Sequence, residues 1–514
     1  MNTRPSHDRT PRERHRRFGR RAFVLGMLAW GVPVCAGADG FPGGLGDALG
    51  PRFGSGRTAG DLRARRRRPA GAMDMLRHWN DVAVDTSGLD HTPVMPGESR
   101  IFGEQLGPGR SSRAMAIVHT AVFDAMNAIV GGHRGYTNLR SAPDGTSIEA
   151  AIALAAHDTL VALFPSQRDE LDQTLAEDLA GIRESRPKAD GIKLGRLAAA
   201  EILARRANDG SQHAEPRVGI DFITSNEPGK WRQDPVSRIP LALGARWGGV
   251  RPFVLRSADQ FRLPPPPALD SVAYETAFDE VKRFGGDGVV TPTTRTDEQS
   301  VIGVYWAYDG TPTLCAPPRL FNQIAVHIAE QRGTRAIDLA RLLALVNVAM
   351  ADAGIAIWES KYYYQFWRPV TGIREADPKL DADQTFTPLG APASNLTGPN
   401  FTPPFPAYPS GHAGFGAALF QTLRHFYGTD HIAFTFVSDE FNGETVDNEG
   451  DVRPLVSRSF SSLSQAEEEN GQSRIYLGIH WSFDKTEGIA QGRRVADWVF
   501  ANAFERRRRG ERGD

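Results

Sequence analysis

Cysteine is almost absent: the 514 residues include two, Cys35 and Cys315. That count excludes a disulfide framework as the source of stability, and it excludes a metal site built on clustered thiolates. An excess of either charge is lacking too. Lys and Arg number 60 and Asp and Glu 61, a formal net charge of −1, so no global basic field exists to bind nucleic acid. No uninterrupted apolar run approaches the ~20 residues that span a bilayer, no long repeat period recurs, and no stretch alternates as a half-buried strand does. The expectation is an all-α chain without a stable membrane span and without a nucleic-acid partner. It is long enough for two helical-bundle domains.

The N-terminus departs from this average. Within "GRRAFVLGMLAWGVPVCAGADG", Arg20 and Arg21 precede an apolar stretch from Ala22 to Val34 and the small residues Ala36, Gly37 and Ala38. Residues 1–38 therefore read as a twin-arginine export signal, which predicts a periplasmic or secreted protein. Residues 39–72, dense in Gly and Arg, read as a disordered linker, and residues 507–514 as a basic tail. Between them, residues 73–268 are expected to form an N-terminal helical domain and residues 269–506 a C-terminal catalytic one.

Helical periodicity carries that expectation. "SSRAMAIVHTAVFDAMNAIVGG" opens on a serine pair and stops on glycine, and "IEAAIALAAHDTLVALFP" is apolar nearly all round, as a central helix is. "RDELDQTLAEDLAGI" spaces Leu171, Leu175 and Leu179 by four with charges elsewhere, so it should be peripheral. Residues 210–268, rich in Pro, Gly and Trp, read as an irregular connection. Thr296 and Gln299 have capping-box spacing. Two final helices are expected at roughly 464–481 and 484–506.

Three polar clusters lie in the second half. In "KYYYQFWRP", Lys361 and Arg368 are two helical turns apart, which predicts two cations on one face, and Pro369 should place Arg368 at a helix end. In "FPAYPSGHAGFGAALF", Ser410, Gly411 and His412 stand at a helix start, where unpaired N–H groups and the helix dipole favour an anion. The same residues also read simply as a serine cap followed by a first turn. In "SRIYLGIHWSFD", Arg474 follows Ser473, and His480 and Asp484 are four apart, so the carboxylate can take one ring N–H and aim the other nitrogen at a reactant. Three cations, an anion-friendly helix start and two histidines together describe a site for a tetrahedral oxyanion.

The ordered set Lys361-x6-Arg368-Pro369, Pro409-Ser410-Gly411-His412 and Ser473-Arg474-x5-His480-x3-Asp484 resembles the three-part signature of vanadium-dependent haloperoxidases and the type 2 phosphatidic acid phosphatase superfamily. "WNDVAVDTSGLDHT", "SSRAMAIVHTAVFDAMNAI", "WAYDG" and "PPFPAYPSGH" are similar to the haloperoxidase branch, and the likeness runs over roughly residues 78–500. One pocket can serve both chemistries because vanadate has the shape and charge of phosphate. The resemblance implies vanadate as cofactor, with phosphate able to occupy the same site. It further implies His480 as the metal ligand, with Lys361, Arg368, Arg474, Ser410 and Gly411 holding the oxygens.

By the same resemblance His412 handles protons, Asp309 supports the His412 ring, Asp484 orients His480, and Trp358 and Phe405 line the halide side. The implied partners are hydrogen peroxide, a halide and a small organic acceptor. The alternative is a soluble acid phosphatase in which His480 attacks phosphorus and His412 protonates the leaving group. The acidic segment "SDEFNGETVDNEGD", between the second and third motifs, is expected to be a loop over the site.

Overall fold

The computed structural model describes residues 66, 68–94, 97–309, 314–377, 379–392, 400–447 and 451–507. The expected export signal lies outside the described residues, as do most of the linker and all but one residue of the basic tail. The end of the presumed linker is not free: Arg66 Nη2 donates to Asp85 Oδ2 at 2.7 Å and Arg68 Nη2 to the Glu177 carbonyl at 3.3 Å. Carboxylate and carbonyl acceptors on the helices thus hold a stretch whose composition alone reads as disordered.

The described chain is predominantly helical, as expected. The first half carries α1 (Ala72–Asp90), α2 (Gly107–Val130), α3 (Ile148–Leu163), α4 (Arg168–Ala180) and α5 (Arg186–Arg206). After the irregular connection come α6 (Val272–Phe284), α7 (Asp297–Tyr305), α8 (Pro317–Gln331), α9 (Ala336–Tyr364) and the short α10 (Pro369–Arg374). The chain closes with α11 (Gly411–Tyr427), α12 (Leu463–Tyr476) and α13 (Ser482–Asn502).

Local signals explain several boundaries. Ser147 caps α3 by accepting from Ala150 N–H, and Pro165 follows its end. The reciprocal Thr296–Gln299 capping box opens α7. The serine pair does not open α2, however. That helix starts four residues earlier at Gly107, and Ser112 sits inside it, donating back to the Gly109 carbonyl at 2.9 Å. A serine within the first turns can satisfy a local carbonyl as readily as it can cap.

α9 organises the core. It packs on α2 from the first half and on α11 and α13 from the second, so the two proposed halves meet along it. Its buried Asp352 accepts the N–H groups of Phe253, Val254 and Leu255 at 2.6, 2.8 and 2.9 Å, which fastens the irregular connection to the helix. By length and composition α2 and α9 could each cross a membrane, although no uninterrupted apolar run of that length exists; 83% and 100% of their most apolar windows are buried inside the protein. Their hydropathy is that of a core.

Close helix crossing brings the second and third motifs together. A Cβ at Gly492 would fall 2.2 Å from the Gly414 carbonyl oxygen, and one at Gly488 2.5 Å from that of Ser410. Glycine at these two positions of α13 lets its backbone lie against the start of α11, where Ser410 N–H donates to the Asp484 carbonyl at 2.9 Å.

One expectation of the sequence fails here. The acidic segment after α11 is not a plain loop: β1 (Phe434–Asn442) and β2 (Leu455–Phe460) form an antiparallel hairpin, with Phe434 opposite Phe460 and Val437 opposite Ser457. Its inward positions include Ser438 and Glu440, both fully buried, so the apolar alternation that identifies a strand is missing.

The core also contains an uncharged histidine. His119 of α2 is buried, accepts from Asn322 Nδ2 at 3.3 Å and has its pKa pushed down to about 3 by burial. Because the folded value lies below the free-histidine value of 6.5, the unfolded chain takes up the proton first as pH falls, and stability is lost through that window. Between pH 7 and pH 4 the wild type should lose roughly 3 kcal/mol relative to His119→Asn. Parallel denaturant melts at the two pH values check this; equal pH dependence in both proteins would refute it.

Candidate active site

The site sits where α9, the segment 401–412, the end of α7 and the turn between α12 and α13 converge. A cavity of about 100 Å³ there is lined by Tyr308, Asp309, Trp358, Phe405, Gly411, His412, Arg474 and His480, among others. Arg368 of the first cluster reaches His480 of the third, and Lys361 reaches the Pro409 carbonyl of the second, so the three sequence clusters meet in space.

Lys361 and Arg368 do not share a helix face. α9 ends at Tyr364, Gln365 turns through a left-handed conformation (φ 51°), and Arg368 becomes the residue before α10, with Pro369 at its first position. The two-turn spacing assumed an unbroken helix; the cations are instead brought together by a chain reversal. Lys361 Nζ donates to the carbonyls of Pro406, Ala407 and Pro409 at 2.8, 2.9 and 2.5 Å. Three acceptors match the three N–H groups of an ammonium, although burial and then Arg368 push its pKa well down. In this arrangement Lys361 holds the loop that leads into Ser410 and supplies charge from behind it.

Arg368 spans the site. Its Nε donates to the Phe405 carbonyl at 2.8 Å, and its Nη1 to the Ile479 carbonyl at 2.8 Å and to His480 Nε2 at 3.0 Å. Burial, then Arg474, brings its pKa down to about 9, with Asp484 opposing. Arg368 Nη2, Arg474 Nε and Arg474 Nη1 are buried N–H donors without a protein acceptor. Leaving such donors unmet costs a folded chain about 1–3 kcal/mol each, more when they are charged. Arg474 lines the cavity and Arg368 adjoins it through His480, an arrangement of donors suited to an oxyanion.

The histidines differ in tautomer. His480 Nδ1 donates to Asp484 Oδ2 at 2.8 Å, which leaves Nε2 with the lone pair. Burial, followed by Arg368, Lys361 and Arg474, pushes its pKa well below 6.5 and keeps it neutral. Asp484 also accepts Trp481 N–H at 3.0 Å; burial raises its carboxyl to about 7 while that N–H and the two cations oppose. His412 Nε2 donates to the Trp306 carbonyl at 2.5 Å, leaving Nδ1 as the basic atom. Burial and then Arg474 lower its pKa, against the pull of that carbonyl.

Asp309 does not hold the His412 ring as expected. Its Oδ2 accepts from Arg474 Nη2, and burial raises its pKa against Arg474 and Arg368. A buried guanidinium outcompetes a neutral imidazole for this carboxylate, and the backbone carbonyl of Trp306 does the orienting instead. Ser410 is the cap of α11, accepting Ala413 N–H at 3.4 Å. The Gly411 and His412 N–H groups, as the first two of that helix, have no intrahelical acceptor. A Cβ at Gly411 would lie 3.2 Å from the Trp358 ring. Trp358 and Phe405 form one apolar wall with ring centroids 4.9 Å apart, and Arg368 sits 4.9 Å from the Phe405 ring.

His91, within "WNDVAVDTSGLDHT", and Cys315 also line the cavity, and neither has an expected role there. Cys315 Sγ is 3.0 Å from Ser87 Oγ, while His91 Nδ1 meets the Ser87 carbonyl at 2.8 Å and its Nε2 accepts Gly107 N–H at 2.9 Å. Against burial, Cys315 and Asp90 push the His91 pKa up to about 9, and its ring is held at both nitrogens.

A helical protein with a buried oxyanion cradle and two neutral histidines of opposite tautomer is what the fold and site define together. The family model described as the VCPO second helical-bundle domain matches residues 341–508. Vanadium chloroperoxidase from Curvularia inaequalis is 32% identical over 487 residues, covering 79% of this chain and 78% of that protein. The chain belongs to the vanadium chloroperoxidase family.

Solved structures share the fold. A bacterial vanadium-dependent iodoperoxidase superposes with a TM-score of 0.69 at 23% identity, covering 86% of this chain and 100% of that one. A holo-type bacterial vanadium-dependent chloroperoxidase superposes with a TM-score of 0.57 at 18% identity, covering 81% and 94%.

Proposed function

We propose that this chain is a vanadate-dependent haloperoxidase that oxidises a halide with hydrogen peroxide to a hypohalous-acid equivalent, which then reacts with a small organic acceptor. The observation that carries this reading is the set of unmet buried donors on Arg368, which touches His480 Nε2, and on Arg474, which lines the same cavity as that ring. The residues fit the cofactor in charge and in donor type. When bound, vanadate supplies Lewis-acid activation of peroxide without a change of metal oxidation state.

The protein's part is binding, orientation and proton handling. His480 Nε2 would ligate the metal, with Asp484 fixing its tautomer. Arg368 and Arg474 would donate to the oxygens together with the Gly411 N–H and the Ser410 hydroxyl, while Lys361 adds positive charge from behind the loop. His412 Nδ1 would take and return a proton at the cavity side, its ring held by the Trp306 carbonyl. Trp358 and Phe405 would give the halide a weakly hydrated wall. Export through the N-terminal signal is part of the same proposal.

The neutral His480 Nε2 is equally the nucleophile of a phosphatase, and phosphate would meet the same donors. Paired assays separate the readings: bromide-dependent halogenation and p-nitrophenyl phosphate hydrolysis, each with and without added vanadate. We expect vanadate to switch halogenation on. Hydrolysis that vanadate inhibits, with no halogenation at any halide, would establish the phosphatase instead.

A further inference from the structure

The residues that hold His412 and Arg474 lie on one short segment, Tyr305 to Asp309, just past the end of α7. Trp306 offers its carbonyl to His412, and Asp309 its carboxylate to Arg474. The segment is under strain: Tyr308 is a non-glycine residue at φ 45°, a left-handed conformation that costs of order 1–2 kcal/mol and persists only where its surroundings fix it.

β1 does the fixing. Glu440 Oε1 accepts Tyr308 N–H at 2.9 Å, Ser438 Oγ donates to the Tyr305 carbonyl at 2.6 Å, and Asp439 N–H donates to Tyr308 Oη at 2.7 Å. From the other side Tyr305 Oη donates to the Phe436 carbonyl at 2.8 Å. Glu440 is fully buried, and its second oxygen accepts from Arg453 Nη1, a residue beyond the tip of the hairpin's first strand. A buried series of charges therefore runs Arg453, Glu440, Asp309, Arg474 into the cavity, its two carboxylates each paired with one of the flanking guanidiniums. A carboxylate buried at the inward face of a strand gains nothing for a hydrophobic core; its partners are the reason for its place.

We propose that Glu440 is a positioning residue for the oxyanion site, acting through the Tyr308 N–H to fix the segment that orients His412 and Arg474. The hairpin is thus a brace for the site. The inference rests on the reading of the cavity as a vanadate site, but it concerns residues that touch neither vanadate nor halide.

The test is the dissociation constant of vanadate for the purified full-length apoprotein, measured beside the denaturant midpoint of each variant. Glu440→Ala should weaken binding about 10- to 100-fold, the range seen when a group that orients a metal-site residue is lost. Glu440→Gln, which keeps an oxygen for the Tyr308 N–H, should recover binding to within about fivefold of wild type. Ser438→Ala, a milder change at the same brace, should weaken binding about threefold to tenfold and decides the matter if Glu440→Ala does not fold. Wild-type affinity in both alanine variants would overturn the proposal, as would a glutamine variant as weak as the alanine one. Failure of the wild type itself to bind vanadate would overturn the site assignment and this inference together, whereas strong wild-type binding with insensitive variants overturns the brace alone.

Discussion

His480→Ala should abolish stable vanadate retention while leaving the helical fold intact. His480 Nε2 carries an imidazole lone pair that accepts from Arg368 Nη1 at 3.0 Å, and its other nitrogen is spent on Asp484. Loss of the ligand itself should cost more than the roughly 10- to 100-fold that loss of a partner to a ligand costs. The fold should survive because both partners of the ring keep other contacts: Asp484 keeps the Trp481 N–H that opens α13, and Arg368 keeps the Phe405 and Ile479 carbonyls. Elemental analysis after desalting, with circular dichroism as the control, measures both halves. Full vanadium stoichiometry in the variant would remove His480 from its assigned role.

His412→Ala should behave differently. The cations and the helix start still hold the anion in this variant, so vanadate should be retained within about tenfold, while peroxide-dependent turnover falls about 100- to 10,000-fold, the worth of a positioned general acid or base. The ring lies at the cavity with Nε2 fixed on the Trp306 carbonyl, and burial next to Arg474 keeps it neutral. Near neutral pH its Nδ1 is therefore unprotonated and open to a transient proton from a bound reactant. Retention of nearly full halogenation, or equal loss of vanadium in both histidine variants, would contradict this division of labour.

The parts of the site that sequence revealed are those written in local spacing. Ser410 caps its helix from the position the pattern indicates, and the four-residue step from His480 to Asp484 becomes a 2.8 Å hydrogen bond. The Lys361–Arg368 spacing brought the right residues to attention for an incomplete reason, since the helix breaks at Gln365 and the chain reversal supplies the convergence. The resemblance pairs Asp309 with His412, whereas its carboxylate meets Arg474, because a motif match cannot rank an arginine against a histidine as competitors for one carboxylate.

The hairpin was not legible. A strand announces itself by apolar residues at every second position, whereas β1 turns Ser438 and Glu440 inward to bond Tyr305 and Tyr308. Its sequence records a task in polar contacts that depend on a segment about 130 residues earlier in the chain. Cys315 is silent for the opposite reason, an isolated residue whose only signal is where the fold puts it, and His91 lies in a stretch whose resemblance does not mark which of its residues faces the cavity.

The most direct test of the central claim is a titration of the metal-free protein with vanadate, reading the initial rate of bromide-dependent halogenation at saturating peroxide. A site formed by Arg368, Arg474 and His480 predicts no rate without vanadate and a linear rise that breaks at one equivalent per chain, with phosphate competing. A rate that stays at zero across the titration while the protein hydrolyses phosphate esters would contradict it.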